Sequence, residues 1–327
     1  MNKPKHTISD LYQMQSLSLD SKVRMSYWRI KGWIEEYGTD GVYISFSGGK
    51  DSRVLLDMVR KAYPNIKGMF IDTGLEYPAI RKFVKQFENI DIVKPAITFR
   101  EVITKYGYPI ISKEVAGIIY EAKNLKNGKT STIRMKRLNG ELRDKNGRPS
   151  MFNIPRYKYL MYAPFKISDK CCDVMKKDTA HRYEYATGRK PMLGQMANES
   201  GLRKQKWLKY GCNAFGLKNP QSNPMSFWTE DDILQYIKEN NLDIAEPYGE
   251  VVEEHYYDKC KYRTTGCQRT GCVFCLFGIK QDPYRLLKLK DMEPGLADYV
   301  LRGGSSTKME CGNRVVMGWG TGSYLNG

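Results

Sequence analysis

The stretch Gly41-Val42-Tyr43-Ile44-Ser45-Phe46-Ser47-Gly48-Gly49-Lys50-Asp51-Ser52 decides the fold. Its apolar first half predicts a buried β-strand, and the apolar spacing after Asp51 predicts a helix that ends before Pro64. Two adjacent glycines let the backbone between them turn sharply and approach a ligand. N–H groups at the helix start, the Lys50 ammonium and the hydroxyls of Ser47 and Ser52 together predict an anion site. An ordinary βα turn is the alternative, but six ordered residues between a clear strand and a clear helix favour phosphate binding.

The strands and helices that follow predict an α/β fold. Strands are expected at Gly68–Ile71 and Ile90–Val93, and a helix is expected to restart after Tyr77-Pro78. This β-α-β-α-β rhythm predicts a doubly wound parallel sheet with helices on both faces and a ligand site at the carboxyl edge of its strands. A cysteine-rich C-terminal extension is expected to follow this sheet.

Composition limits the partners of the chain. Lysine and arginine number 53 against 36 acidic residues, and the formal charge of +17 favours a polyanionic partner, either nucleic acid or a highly charged nucleotide. A merely basic, solvated surface is the alternative. No apolar run approaches the roughly 18 residues of a membrane span and no signal peptide opens the chain, which predicts a cytoplasmic protein without a membrane partner.

The loop closely resembles the PP-loop of adenine-nucleotide enzymes that include the N-type ATP pyrophosphatases and the phosphoadenosine phosphosulfate (PAPS) reductases. The resemblance implies an adenine nucleotide alpha-hydrolase-like fold and an adenosine phosphate bound over the loop. It also extends to an Asp-Thr-Gly turn after the second strand and to a glycine-led segment, Gly194 to Arg203, that the family places against the phosphates. The nucleotide-binding residues that it implies are Ser45, Ser47, Gly48, Gly49, Lys50, Asp51, Ser52, Asp72, Thr73, Gly194 and Arg203.

All eight cysteines lie in the second half of the chain, away from the PP-loop. In a cytoplasmic protein they indicate metal or redox chemistry rather than structural disulfides. The pair Cys171-Cys172 with the distant Cys272-x-x-Cys275 resembles the ligand pattern of the [4Fe-4S] cluster in adenylyl-sulfate reductases. Cys267 is a possible replacement for one ligand. The alternative is a structural zinc site built locally from Cys260, Cys267, Cys272 and Cys275.

A basic insertion occupies residues 123–158. It holds eleven basic residues, opposed only by Glu141 and Asp144, and Asn-Gly turns divide it into a hairpin-like segment. With tyrosines nearby it could bind a nucleic-acid backbone and stack on bases. A solvated surface insertion is the alternative. The predicted domains are an N-terminal helical segment at 1–40, the PP-loop domain at 41–250 and the cysteine-rich region at 251–327.

Three functions are consistent with this family. The favoured one is ATP pyrophosphatase activity that activates DNA or tRNA for sulfur insertion, with Lys50 and Asp51 as catalytic residues, Mg²⁺ near Asp51, and a sulfur donor such as a cysteine desulfurase. The alternative is reduction of PAPS or adenylyl sulfate to sulfite, in which Cys311 is the nucleophile and a thioredoxin-like protein the reductant. The third is a nucleotide- or nucleic-acid-binding protein without turnover.

Overall fold

The computed structural model describes residues 4–124, 132–256, 259–275, 277 and 284–301. The strands are β1 Val42–Ser45, β2 Gly68–Ile71, β3 Ile90–Val93, β4 Lys190–Leu193, β5 Asn213–Ala214, β6 Gln221–Ser222, β7 Val251–Tyr256 and β8 Lys259–Thr264. The helices are α1 Ile8–Gln15, α2 Leu19–Tyr37, α3 Lys50–Ala62, α4 Pro78–Val84, α5 Phe99–Lys105, α6 Lys113–Lys123, α7 Thr132–Asn139, α8 Asp178–Thr187, α9 Gly201–Tyr210, α10 Glu230–Glu239, α11 Arg285–Met292 and α12 Pro294–Leu301.

The chain divides into two compact units. Unit 1 comprises residues 1–72, 76–94 and 179–270, and unit 2 comprises residues 73–75, 95–178 and 271–327. The boundaries predicted from the sequence, after residues 40 and 250, both fall inside unit 1, and that division of the chain stays a prediction.

Unit 1 is built on a six-stranded sheet in the order β3-β2-β1-β4-β6-β5. β1 pairs in parallel with β2 on one side and with β4 on the other, and only the β5–β6 pair is antiparallel. The chain therefore winds outward from β1 in one direction and later returns to its other side. This arrangement confirms the predicted doubly wound α/β fold, and it creates a switch point between β1 and β4, where such sheets bind ligands.

The core of unit 1 explains why these segments fold as they do. β1 is buried along its length apart from its last residue, and α3 buries a continuous set of apolar side chains that includes Val54, Leu55 and Met58. Thr229 opens α10 as an N-cap whose hydroxyl accepts a hydrogen bond from the Asp232 N–H. The tight turn, the strand and the helix of the quoted stretch are thus all present.

Unit 2 is mainly helical. α6 begins after the N-cap Ser112 and ends at Lys123, with Asn124 as its C-cap. Within the basic insertion the described residues form α7, an antiparallel bridge between Arg143 and Pro149, and the start of a 3-10 helix, Pro155–Tyr162. The hairpin-like interpretation was therefore wrong for residues 132–139, where the side-chain spacing supports a helix instead. None of the helices in the described part of the chain has the length and apolar character that a membrane span needs.

A buried ion pair joins α2 to α10 inside unit 1. The Lys22 Nζ lies 2.7 and 2.8 Å from the two carboxylate oxygens of Asp232, and both side chains are almost fully buried. Removing one partner of a buried pair leaves the other charge without compensation. We expect Lys22→Met to lower the free energy of unfolding by about 3 kcal/mol, as measured by urea denaturation.

Lys31→Met is the matched control, because Lys31 lies on the same helix and pairs with Glu35 at the surface, 3.6 Å away. Exposed pairs contribute little, so its free energy of unfolding should change by no more than about 0.5 kcal/mol. Equal effects of the two substitutions would show that the Lys22–Asp232 pair does not stabilise unit 1.

Candidate nucleotide site and cysteine cavity

The PP-loop connects β1 to α3 and is held by its own hydroxyl groups. The Ser52 hydroxyl donates to the Gly49 carbonyl at 2.9 Å, and it accepts from the Ser47 N–H at 3.1 Å. The hydroxyl oxygens of Ser47 and Ser52 lie 3.0 Å apart. The two predicted phosphate-binding serines therefore also fix the shape of the loop.

Close packing leaves little room for a side chain at either glycine of the loop, and the backbone requires glycine at Gly48. Gly48 has a φ of +71°, and a Cβ placed there would lie 2.8 Å from the side chains of Ile80 and Val84. A Cβ on Gly49 would lie 3.2 Å from the Ser47 and Tyr248 oxygens. Gly49 is also the N-cap of α3 and provides no side-chain cap. A helix that begins in this way offers its first N–H groups to an anion.

The Lys50 side chain points into unit 1, where nearby carboxylates balance its positive charge. Its Nζ lies 2.8 Å from the Glu230 carboxylate and donates to the Gln268 carbonyl at 3.1 Å, and only 3% of the side chain is exposed. Burial lowers the pKa of Lys50, but the carboxylates of Asp51 and Glu230 outweigh this effect, so that its pKa is raised overall. Lys50 thus stays an ammonium beside the PP-loop.

Asp51 lies in a crowded acidic environment. Burial raises the pKa of this carboxyl; Lys50 opposes the rise, while Glu199 and Glu230 add to it. Its Oδ1 is buried and accepts no hydrogen bond from any residue that the structure describes, the Lys50 Nζ being 3.8 Å away. A buried carboxylate oxygen of this kind fits a hard cation such as Mg²⁺.

Gly194 lies against the PP-loop in unit 1, and the predicted role of Arg203 at the phosphates stays a prediction. Gly194 follows β4, and a Cβ there would lie 2.9 Å from the Asp51 carbonyl, so the close approach of this segment to the PP-loop requires glycine. Arg203 forms an ion pair with Glu199, and Arg269 lies 3.6 Å from the same carboxylate. Two guanidinium groups are therefore held near the loop by one acid, as phosphate binding would use them.

The Asp-Thr-Gly turn is divided between the units. Asp72, in unit 1, accepts a hydrogen bond from Arg81 at 2.9 Å. Thr73, in unit 2, accepts from the Leu75 N–H at 3.3 Å and lines the cysteine cavity described below. The predicted role of Thr73 at the nucleotide stays a prediction.

Four groups around the loop were not predicted from the sequence, and they are Tyr248, Glu230, Gln268 and Arg269. Glu230 had a detectable signal, because it is one of three acidic residues in the first turn of α10. Tyr248 is buried with its ring 5.9 Å from the Lys50 Nζ, and its hydroxyl lies 3.0 Å from that of Thr270. No sequence pattern indicated these contacts.

In unit 2, Cys171, Cys172, Cys272 and Cys275 line one cavity of about 350 Å³, counting its open mouth. Its other walls are mostly apolar and include Leu75, Phe99, Met175 and Phe274. Cys171-Cys172 leads into a π-helical turn, Asp173–Lys177, and such turns are frequent at functional sites. The fold thus assembles the four cysteines that the resemblance selected.

The thiols of this cavity affect one another. Hydrogen bonding to Cys172, burial and the other cysteines all raise the pKa of Cys171. The same hydrogen bond, aided by Lys176 and Lys113, lowers the pKa of Cys172 to about 6 despite its burial. Four sulfur donors in a mostly apolar cavity fit an iron–sulfur cluster.

The predicted zinc site and the replacement ligand are placed elsewhere. Cys260 is exposed on β8, and Cys267 is fully buried in unit 1, where its N–H donates to the Pro247 carbonyl at 2.7 Å. Neither residue lines the cavity. Cys311 lies outside the described residues, and its role as nucleophile stays a prediction.

We expect Lys50→Met to weaken the binding of ATP or adenylyl sulfate about 10- to 100-fold, because a hydrogen bond to a charged group contributes about 1.5–3 kcal/mol. Isothermal titration calorimetry measures this loss. Lys61→Met is the matched control on the same helix, where Lys61 is half exposed and pairs with Asp57. Undiminished affinity in Lys50→Met would remove Lys50 from the nucleotide site.

Comparison with known proteins supports this interpretation. Residues 41–115 match the family model of the phosphoadenosine phosphosulfate reductase domain. A curated adenosine 5'-phosphosulfate reductase of Oceanobacillus iheyensis is 23% identical over 70% of this chain and 72% of its own length. A reductase of the same name from Staphylococcus epidermidis is 22% identical over 92% of both chains.

Among solved structures, PAPS reductase from Candida auris in a phosphate complex aligns with a TM-score of 0.36 and 16% identity, covering 75% of this chain and 92% of that chain. A likeness at this level carries no weight beside the sequence matches. The family model and the curated relatives thus confirm the predicted resemblance of this chain to the PAPS reductase family of PP-loop enzymes.

Proposed function

We propose that this chain is a sulfonucleotide reductase, which binds adenylyl sulfate or PAPS on the PP-loop and reduces the sulfate group to sulfite. The observation that carries the proposal is the cavity of unit 2 lined by Cys171, Cys172, Cys272 and Cys275. The names of the curated relatives support it as well. It was the alternative in the sequence interpretation, and these findings favour it over nucleic-acid thiolation.

In this proposal, unit 1 binds the nucleotide and its phosphate. The N-terminus of α3 and Lys50 would bind the phosphate next to the sulfate, and Arg203 or Arg269 would exchange its partner Glu199 for a phosphate oxygen. These contacts would stabilise the negative charge that develops on the leaving phosphate. The PP-loop residues thus orient the nucleotide and promote departure of the adenosine phosphate.

The proposed sulfur chemistry uses Cys311 as nucleophile. Its thiolate attacks the sulfur, the bond from sulfur to the phosphate oxygen breaks, and the adenosine phosphate leaves with the electron pair. One thiol of a thioredoxin-like dithiol then attacks the Cys311 sulfur and releases sulfite. The second thiol displaces Cys311, so that the dithiol ends as a disulfide and the two electrons balance.

A [4Fe-4S] cluster would be held by the four cavity cysteines. When bound, it supplies a redox-active centre whose potential depends on burial and on hydrogen bonds to the sulfurs. The chain contributes a mostly apolar wall around those sulfurs, and Lys176 and Lys113 favour the thiolate form of Cys172. The cationic neighbours would thereby compensate part of the negative charge of a thiolate-ligated cluster.

A second candidate is ATP pyrophosphatase activity coupled to sulfur transfer to a nucleic acid. The complete Ser-Gly-Gly-Lys-Asp-Ser loop favours it, as does the buried Oδ1 of Asp51, which accepts no hydrogen bond from a described residue and fits Mg²⁺. The basic insertion adds a set of exposed cations, Lys136, Arg143, Lys145, Arg148, Arg156 and Lys158. Phe152 and Tyr162 are exposed beside them and could stack on unpaired bases. A cysteine desulfurase would be the expected sulfur donor.

The cluster is tested by anaerobic purification with iron and sulfide analysis. We expect Cys272→Ser to lose iron and its visible absorption, because three thiolates remain for a four-thiolate cluster. Cys267→Ser should keep both, since Cys267 does not line the cavity. Zinc in place of iron, or iron lost from Cys267→Ser and kept in Cys272→Ser, would contradict this ligand set.

The reaction is tested by offering the anaerobic protein adenylyl sulfate, PAPS or ATP with Mg²⁺, and measuring sulfite and pyrophosphate. We expect sulfite from a sulfonucleotide with thioredoxin and reductant, and no sulfite from Cys311→Ser, which should still bind the nucleotide. Pyrophosphate release from ATP, enhanced by DNA or tRNA and suppressed by salt, would support the second candidate instead. Nucleotide binding without either product would show that the chain is a binding protein.

A further inference from the structure

We propose that the β7–β8 hairpin of unit 1 carries a separate site for a zinc-type divalent cation, formed by Glu253, His255 and Cys260. The ligand atoms of these three side chains all lie within 4.8 Å of one another. None of the three belongs to the PP-loop or to the cysteine cavity. The inference therefore does not depend on the proposed reaction.

The register of the hairpin brings the three residues together. β7 and β8 pair antiparallel, with His255 directly opposite Cys260 and Glu253 opposite Tyr262. Residues two apart on a strand point to the same face, so Glu253 and His255 share a face with Cys260. The convergence is consequently built into the strand pairing rather than into a chance meeting of long side chains.

The donor set selects the metal. One thiolate, one imidazole and one carboxylate are the ligands that Zn²⁺ takes in tetrahedral sites, whereas Mg²⁺ and Ca²⁺ require oxygen donors. Three protein ligands leave the fourth position to water or to a group from another molecule. His255 is 72% exposed, and its Nε2 lies 3.9 Å from the Glu253 carboxylate, so that a metal can reach the site from solvent.

The charges of the hairpin are separated by face. Lys261 and Arg263 alternate with Cys260 and Tyr262 along β8, so they occupy the opposite face, where Arg263 pairs with Glu254. The basic side chains Lys261 and Arg263 of β8 therefore lie on the face opposite the Glu253 carboxylate.

A bound metal would also have a structural effect. A two-stranded hairpin has little stability of its own, and a metal that binds residues from both strands would fasten β7 to β8. Metal binding that requires the folded arrangement contributes to folding stability. The site would thus hold this hairpin in register.

The test uses the full-length protein, prepared anaerobically and freed of loosely bound metal by dialysis against a chelator. Zinc bound per chain is measured at equilibrium in the wild type and in Cys260→Ser, His255→Gln and Glu253→Gln. We expect the wild type to bind one more equivalent than Cys260→Ser or His255→Gln, with weakened binding in Glu253→Gln. Zinc taken up by the cavity cysteines is common to all of these proteins and cancels in the difference.

Glu254→Gln is the matched control, because it removes the same charge from the neighbouring position on the opposite face. It should keep the full zinc content, and Co²⁺ bound to it should show the same thiolate charge-transfer absorption as in the wild type. Equal zinc in the wild type and Cys260→Ser would overturn the proposal. Zinc lost from Glu254→Gln as readily as from Glu253→Gln would also overturn it, because the binding would then be non-specific attraction to negative charge. Should Cys260→Ser fail to fold, the zinc content of His255→Gln and Glu253→Gln still decides the outcome.

Discussion

The positive charge of the Lys50 ammonium must be stabilised inside unit 1, and the groups that stabilise it come from distant parts of the chain. Glu230 begins α10, and Gln268 follows β8. An ammonium buried without partners would cost several kcal/mol, so the PP-loop can hold its lysine inward only when both segments are in place. The Lys22–Asp232 pair fixes the same helix α10 from its other side. The shape of the PP-loop is therefore supported by the tertiary structure as well as by its own sequence.

This dependence explains how much of the site the sequence could predict. The strand, the turn and the helix from Val42 to Ala62 follow from local spacing and from glycines that only a tight loop requires, and the structure contains them as expected. The partners of Lys50 do not follow, because Glu230 and Gln268 become neighbours only through the winding of the sheet. A strong local motif thus predicts the backbone conformation of a loop, whereas the electrostatic setting of that loop is a tertiary property.

The grouping of the cysteines was also only partly predictable from the sequence. Nearness in sequence favoured a local set from Cys260 to Cys275, yet Cys260 projects from an exposed strand and Cys267 is buried in unit 1. The cavity instead joins Cys171 and Cys172 to residues about a hundred positions later, a combination that only the resemblance to a family had suggested. Strand pairing then gives Cys260 a different set of neighbours, Glu253 and His255. Residues that look equivalent in the sequence are therefore separated by the fold into different chemical settings.

The acidic groups around the loop separate the two candidate reactions physically. Three carboxylates, those of Asp51, Glu199 and Glu230, lie near the turn that is predicted to bind phosphate. Glu199 and Glu230 raise the pKa of Asp51. A triphosphate brings several more negative charges into this region, so ATP cleavage there requires a cation to offset the repulsion. A sulfonucleotide presents fewer charges at the reacting end, and Lys50 with the two arginines at Glu199 could balance them without a metal. Dependence on Mg²⁺ is consequently a property of the reaction that the loop performs, and the intact PP-loop alone does not determine it.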